Sequence, residues 1–170
     1  MEHLTDRRSI RQFTVHTATD DEIHQLLLAG MSAPSAVNKY PVSFIVVKER
    51  EQLQMLAKLH PYAAFTTNAA VAIIVCYEPA KAYPEHDPVA YAMQDASAAT
   101  MNIITAAEII GYGSTWTGLA PNAPVVAAFR KELQIPEAVI PMAMIVIGKK
   151  AQEPKKVEKF HQERVHFDKW

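Results

Sequence analysis

The sequence predicts one domain, spanning residues 1–170, of the α+β or α/β class, because helical segments are interspersed with a few buried strands. The chain has 170 residues, of which 49% are apolar, enough to bury one core without disulfides. Residues 70–77 and 140–147 form uninterrupted apolar runs, which are typical of strands covered on both faces. Residues 88–110 are apolar around the helical circumference, which predicts a long buried helix.

The first thirty residues predict two helices. Residues 4–11 indicate a short helical entry. Thr19 and Glu22 have the spacing of a capping box, so we expect a helix over about residues 20–29. Gly30 follows directly, at the position where a helix stop is common.

The middle of the chain alternates loops, strands and helices. Residues 33–41 place small and polar residues between two prolines, which predicts a loop. Residues 42–47 are β-branched and aromatic, typical of a strand, and residues 49–59 have helical spacing. Residues 78–88 form a charged connection that contains proline.

The long helix has clear boundary signals. Asp87-Pro88 provides an N-cap followed by proline at the first helical position, and Gly111 provides the stop. Because 170 residues offer limited material to cover an apolar helix of this length, we expect a second copy of the chain to cover part of it, in a homodimer. A further helix over residues 124–133 precedes the last apolar strand.

Charge and cysteine usage argue against several classes of protein. The net charge of −1 is the sum of +1 over residues 1–16, +3 over residues 149–170 and −5 between them. A nucleic-acid-binding domain is normally basic throughout, so we expect no nucleic-acid partner. The single cysteine, Cys76, lies in an apolar run, which favours a buried, unreactive residue in a reducing compartment. A charged N-terminus without a long apolar stretch predicts a cytoplasmic protein with no membrane partner.

Three segments carry groups suited to a ligand. Residues 7–11 hold three guanidiniums and a hydroxyl, a donor cluster of phosphate size, although a solvated basic turn has the same composition. Residues 34–41 combine polar side chains with prolines that fix φ, as either a stiff ligand wall or a simple connector. Residues 111–118 contain three of the five glycines, which allow close backbone approach to a ligand or only a helix stop with a tight link.

Other chemistries find no support in the sequence. There is no G-x-G-x-x-G or Walker pattern, and no G-x-S-x-G that would anchor a serine triad. The seven histidines lack metal-site spacing and are expected to lie on the surface. We expect Asp95, Asn102 and Glu108, on the long helix, to be interface or capping groups rather than an acid/base pair.

Four segments, in this order, resemble the FMN-dependent nitroreductase family. They are Arg7-Arg8-Ser9-Ile10-Arg11-Gln12-Phe13; Ala33-Pro34-Ser35-Ala36-Val37-Asn38 followed by Pro41; Gly111-Tyr112-Gly113-Ser114-Thr115-Trp116-Thr117-Gly118; and Arg164-Val165-His166-Phe167-Asp168-Lys169-Trp170. The resemblance spans nearly the whole chain. It implies an α+β fold with a mixed, mainly antiparallel sheet flanked by helices. It also implies a long central helix at a dimer interface, with two FMN sites between the subunits.

The resemblance also implies which residues contact FMN. Arg11 would lie near the pyrimidine edge of the flavin, where a cation stabilises the negative charge of the reduced ring. Thr117 and Gly118 would offer backbone N–H groups, with Thr117 near N5, and no side chain would act catalytically. The remaining cofactor contacts implied are Arg7, Arg8, Ser9 and Trp116; Pro34, Ser35, Ala36 and Asn38 from the other subunit; and Lys155, with Lys156 in place of an arginine that this tail lacks.

The implied activity is a two-step electron transfer. The chain would transfer hydride from NADH or NADPH through FMN to a nitroaromatic, quinone or related conjugated acceptor, by a ping-pong scheme. The alternative is a dimer that binds or senses FMN, or another phosphate ligand, without turnover.

Overall fold

The computed structural model describes residues 1–155 and 157–170 and has an α+β architecture, with helices on both faces of one sheet. The helices are α1 (Glu2–Thr5), α2 (Asp20–Met31), α3 (Arg50–Leu59), α4 (Pro88–Ile109) and α5 (Ala123–Glu132). The strands are β1 (Phe13–Thr14), β2 (Val42–Val47), β3 (Val71–Tyr77), β4 (Gly113–Gly118) and β5 (Ile140–Lys150). Within the described ranges, no helix combines the length and hydropathy needed to cross a membrane.

The sheet is mixed but mainly antiparallel, as the resemblance implied. Strand β3 pairs with β2 on one side and β5 on the other, and β5 also pairs with β4 and with the short β1. The parallel component is a bridge between Ser9 and Ser114. Strands β2 and β4 therefore lie at opposite edges, with β3 and β5 between them.

Apolar residues fill both sides of the sheet. One cluster joins α2 and α4 to the sheet and includes Leu26 and Ile103, and the other joins α3 and α5 to the opposite face and includes Leu56 and Phe129. Cys76 of β3 is 1% exposed, and burial raises the pKa of its thiol to about 12. The prediction that this cysteine is buried is thus confirmed.

The predicted end of α2 is wrong. The helix continues through Gly30 to Met31, and Gly30 is buried where α2 packs on α4. A Cβ at this position would lie 2.8 Å from Cδ1 of Ile103 and 3.2 Å from Cζ of Phe44. The glycine serves close helix packing rather than termination, a requirement that local sequence signals do not reveal.

Two further segments differ from expectation. Helix α1 covers only Glu2–Thr5, and the chain then runs along the sheet at Ser9 instead of continuing a helix through residue 11. The glycine-rich segment, for which no strand was expected, contains strand β4, because its backbone pairs with β5 over six consecutive positions, from Gly113↔Gly148 to Gly118↔Ala143.

The capping box of α2 makes stability depend on pH. Glu22 accepts a hydrogen bond from the Thr19 backbone N–H at 2.8 Å, and this bond is the largest cause of its lowered pKa. A lowered carboxyl pKa stabilises the fold above the unfolded value and the effect is lost as pH falls through the folded value. We therefore expect Glu22→Gln to reduce the free energy of unfolding between pH 5.5 and 7, with a difference from wild type that shrinks below about pH 4.5, in urea titrations.

Glu49→Gln provides the matched control, because Glu49 is the N-cap of α3 and makes no side-chain capping bond. Its difference from wild type should stay small across the same pH range. A Glu22→Gln difference that is equal at pH 7 and pH 3.5 would contradict the assignment.

Candidate functional site

A cleft of about 300 Å³ runs along the outer edge of β4. One wall is the strand itself, and the other is formed by the segment after α1 and the turn after α3. The cleft thus brings together three segments that are distant in the chain: the one at Arg11, the turn at His60, and strand β4. Its lining residues are Arg11, His60, Tyr62, Phe65, Thr115, Trp116, Thr117 and Gly118.

Arg11 reaches the cleft because Ile10 fixes the chain beside β4. Ile10 is fully buried, its N–H donates to the Ser114 carbonyl at 2.9 Å, and its own carbonyl accepts from the Thr115 hydroxyl. The next residue is therefore held at the strand edge. The Arg11 guanidinium has no hydrogen bond or ion pair with any other residue that the structure describes, so it is available to a ligand.

Strand alternation decides which β4 backbone groups face the cleft. Successive residues of a strand direct their N–H and C=O groups to opposite edges. The Ser114 and Gly118 carbonyls accept from Ile10 and His60, away from β5, whereas the Leu119 N–H donates to Met142 of β5. Trp116 and Gly118 therefore direct their N–H groups outward, and the N–H of Thr117 points into the ladder.

Thr117 presents a different polar group. Its side chain is 6% exposed, and its buried Oγ1 has no hydrogen-bond partner among the described residues. Trp116 is on the opposite face of the strand and 36% exposed. The Thr117 N–H, which the resemblance placed at a ligand, therefore points away from the cleft, whereas the Gly118 N–H points into it.

The arginines before Ile10 differ from one another. Arg8 is committed within the chain, since its guanidinium donates to the carbonyls of Thr5, Arg7 and Val157 at 2.7–2.9 Å. Arg7 is half-buried and its side chain has no polar partner in residues 1–155 and 157–170. Of the two, Arg7 has the freer guanidinium for an anion. Ser9 is exposed next to the buried Ile10.

The loop at Pro34, Ser35, Ala36 and Asn38 lies far from this cleft in the same chain. It precedes β2, three strand spacings from β4, which is about 14 Å at about 4.8 Å per spacing. Asp95 of α4 shapes the loop by accepting the Ala36 N–H at 3.0 Å. Within one chain the loop and the β4 cleft line separate cavities.

The predicted tail contacts are placed only in part. Lys155 is exposed and has no polar side-chain partner in the described chain, and Lys156 lies outside the described residues. Downstream, Phe167 is 78% exposed and Trp170 is fully exposed. The Trp170 ring stacks on the neighbouring His166 ring, with centroids 4.3 Å apart. The structure thus leaves the aromatic end of the tail largely unpacked on its own chain.

The polar residues of α4, expected at an interface or as capping groups, make contacts within the chain. Asn102 donates to the Ala29 carbonyl at 3.0 Å, and Glu108 pairs with Lys150 at 2.6 Å. The structure also places no group of three or more metal-ligating side chains within the described ranges.

His60 is a cleft residue that the sequence did not predict. All seven histidines were expected on the surface, but His60 is 9% exposed and its Nε2 lies 3.1 Å from the Gly118 carbonyl. The available signal was weak: a histidine at the end of α3, followed by Pro61, marks a turn but not its tertiary contact.

Comparison with known proteins identifies the family. The family model described as "Nitroreductase family" matches residues 4–64 and 52–149. A protein of Methanothermobacter thermautotrophicus, provisionally named NADH dehydrogenase/NAD(P)H nitroreductase, is 39% identical over 170 residues, covering 100% of this chain and 87% of its own. The protein of Bacillus subtilis named FMN reductase [NAD(P)H] is 29% identical over 177 residues, with coverage of 96% and 70%.

The fold comparison agrees. The structure of the FMN-dependent nitroreductase from Clostridium difficile R20291 superposes with a TM-score of 0.89 at 26% identity, covering 99% of this chain and 98% of that one. Sequence and fold match over nearly the whole chain, and the chain therefore belongs to the nitroreductase family.

Proposed function

We propose that the chain is an NAD(P)H-dependent flavin oxidoreductase that holds FMN in the β4 cleft. The observation that carries the proposal is the meeting of the unpartnered Arg11 guanidinium with the outward N–H groups of Trp116 and Gly118 in one cleft. Membership in the nitroreductase family supports FMN as the cofactor and NADH or NADPH as the electron donor.

The cleft residues fit a flavin nucleotide. Thr117 presents a buried hydroxyl oxygen without a partner in the described chain, which is unfavourable unless a ligand satisfies it. A Cβ added to Gly118 would meet no atom within 4 Å, so a planar ligand has room against this residue. Arg7 and Ser9 are the groups we assign to the phosphate, with Lys155 from the tail, because Arg8 is engaged by carbonyls.

Each cleft residue has a physical role in the reaction. FMN held in this cleft would supply the redox chemistry, as hydride acceptor from the nicotinamide and electron donor to a second substrate. Arg11 holds a positive charge at the cleft wall, which stabilises negative charge developing on the ligand it contacts. Gly118 supplies an outward backbone N–H, which can donate a hydrogen bond to the ligand. The protein thus orients the cofactor and stabilises negative charge on it, and the reaction needs no acid/base side chain.

We further propose that the complete site needs two copies of the chain. The loop from Pro34 to Asn38 precedes β2, which lies three strand spacings, about 14 Å, from β4, so we assign its contact with a β4 cleft to a partner chain. Four apolar side chains of α4 are at least 36% exposed and form a ridge at i+4 spacing that winds around the helix, with Ser97 and Thr105 between them: Val89, Met93, Met101 and Ile109. Leu28 and Met31, 57% and 61% exposed, lie on α2, which packs against α4.

The rim of the cleft supports a conjugated, planar acceptor. Tyr62 and Trp116 expose aromatic surface there, which suits a planar conjugated molecule such as a nitroaromatic or a quinone. One cleft would then serve the nicotinamide and the acceptor in turn, which requires a ping-pong scheme.

The test is direct. Purified protein should carry a flavin absorption band, which bleaches anaerobically on addition of NADH or NADPH and returns on addition of a quinone or nitroaromatic. Arg11→Ala should weaken FMN binding by about 10- to 100-fold, because a charge-assisted contact is lost. Lys131→Ala, an exposed cation on α5, is the matched control and should not change FMN affinity.

Two results would contradict the proposal. Protein that neither contains nor takes up FMN would exclude a flavoenzyme. Bound FMN that no nicotinamide reduces would favour the alternative of a dimer that binds or senses the cofactor without turnover.

A further inference from the structure

His60 connects two parts of the cleft wall. It lies at the end of α3, and its imidazole is 9% exposed beneath the turn that carries Tyr62. Its Nε2 is 3.1 Å from the Gly118 carbonyl, and its Nδ1 is 3.2 Å from the Tyr62 backbone nitrogen. One buried side chain therefore spans from the turn to the last residue of β4.

The two partners determine the tautomer. The Gly118 carbonyl can only accept a hydrogen bond, so Nε2 must carry the proton. The Tyr62 N–H can only donate, so Nδ1 must be the unprotonated nitrogen. A neutral imidazole with its proton on Nε2 satisfies both bonds at once.

Each bond orients a part of the cleft. The Gly118 carbonyl points away from β5 and gains no ladder bond there, so His60 fixes the orientation of a residue that has unusual conformational freedom. On the other side, the turn closes with the Ala63 N–H donating to the His60 carbonyl at 3.2 Å. The Tyr62 ring, 82% exposed, packs edge-on against the imidazole at 6.0 Å between centroids.

We propose that His60 is a positioning residue of the flavin site: its Nε2–H holds the Gly118 carbonyl and thereby sets the outward N–H of Gly118, while its Nδ1 accepts from the Tyr62 N–H and holds the aromatic rim. The proposal rests on the proposed function, because Gly118 matters to catalysis only if the cleft holds FMN. His60 acts through Gly118 and Tyr62 and does not itself need to touch the cofactor.

Two amide variants separate the bonds. In His60→Gln the side-chain amide reaches the position of Nε2 and can donate to Gly118, but it lacks the acceptor for Tyr62. In His60→Asn the carbonyl oxygen replaces Nδ1 and can accept from the N–H two residues on, a common local bond for asparagine, but the contact with Gly118 is lost. The pair therefore removes one connection at a time.

The expected results distinguish positioning from general stability. On the FMN-loaded protein, His60→Asn should weaken FMN binding and slow flavin reduction by NADH or NADPH about 3- to 10-fold, as expected for one hydrogen bond, and should shift the flavin midpoint potential. His60→Gln should keep FMN affinity and potential within about twofold of wild type. His3→Gln, at the exposed N-terminus, is the control.

A measurement without flavin keeps the inference separate from the proposed function. Long-range ¹H–¹⁵N spectra of the flavin-free wild-type protein should show His60 neutral, with its proton on Nε2. A proton on Nδ1, or equal losses in His60→Gln and His60→Asn, would overturn the positioning role. Failure of the wild-type protein to bind FMN, with the expected tautomer present, would instead count against the proposed function.

Discussion

Met101→Glu is expected to yield a monomer that does not retain FMN. Met101 is 39% exposed on α4 and belongs to the apolar ridge with Met93 and Ile109. A carboxylate buried without a partner between two copies of this ridge loses its hydration, at a cost of several kcal/mol. We expect the dimer dissociation constant to rise by at least about 100-fold. Sedimentation and flavin absorbance report the two effects.

FMN loss is expected to accompany dissociation because of the sheet order. Strands β5 and β3 separate the β4 cleft from the loop that contains Ser35 and Asn38. A monomer therefore keeps Arg11 and the outward N–H groups of β4 but loses the contribution of the partner loop. FMN should then bind weakly, with the affinity that the contacts of Arg11 and β4 provide alone.

The control for this variant lies on the opposite face of the sheet. Ala127→Glu places the same charge at an exposed position of α5, which packs through Val125 and Phe129 away from α2 and α4. It should remain dimeric and yellow. A Met101→Glu protein that stays dimeric with FMN bound would show that copies do not meet on the α4 ridge.

The elements that sequence predicted well are those with local causes. Helix α4 begins where Asp87 accepts the Ala90 N–H, and it ends just before Gly111, whose φ of +82° few other residues adopt. Both signals act within a few residues, so they can be recognised without tertiary information. The strands β3 and β5 can likewise be predicted from their own residues, because a strand buried on both faces has an uninterrupted apolar sequence.

The missed features depend on distant partners. Strand β4 contains two glycines and hydroxyl residues of modest hydrophobicity, and it is a strand because β5 offers a paired edge. The alternation that points the Thr117 N–H inward is set by that pairing, and a shift of one residue would reverse it. His60 was overlooked for the same reason, since its contact with Gly118 spans 58 positions.

The second large effect is expected from Gly113→Ala. A Cβ at this position would lie 2.8–2.9 Å from Cβ, Cγ1 and Cγ2 of Ile10, closer than carbon atoms pack. Ile10 cannot easily move, because its backbone is bonded on both sides to β4. Overpacking of this kind costs about 1–3 kcal/mol, which lowers Tm by roughly 2–10 °C in thermal unfolding. Displacement of Ile10 also moves Arg11, so FMN affinity should fall with stability.

Gly118→Ala separates the clash with Ile10 from the general effect of replacing a glycine in β4. Gly118 lies in the same strand as Gly113, but a Cβ added there meets no atom within 4 Å. The Tm of this variant should therefore stay near the wild-type value, while the cleft becomes narrower. Equal Tm losses in the two variants would point to strand propensity instead of the contact with Ile10.

A double-mutant cycle tests the contact itself. Ile10→Ala removes Cγ1 and Cγ2, two of the three atoms that crowd the new Cβ, and by itself costs about 2–5 kcal/mol as a cavity. With Gly113→Ala added, the methyl group occupies part of that cavity instead of clashing. The combined loss should therefore be smaller than the sum of the single losses by at least about 0.5 kcal/mol. If the two losses in the free energy of unfolding are strictly additive, the side chain at residue 113 and Ile10 are not in energetically important contact. The position of Arg11 would then need another cause.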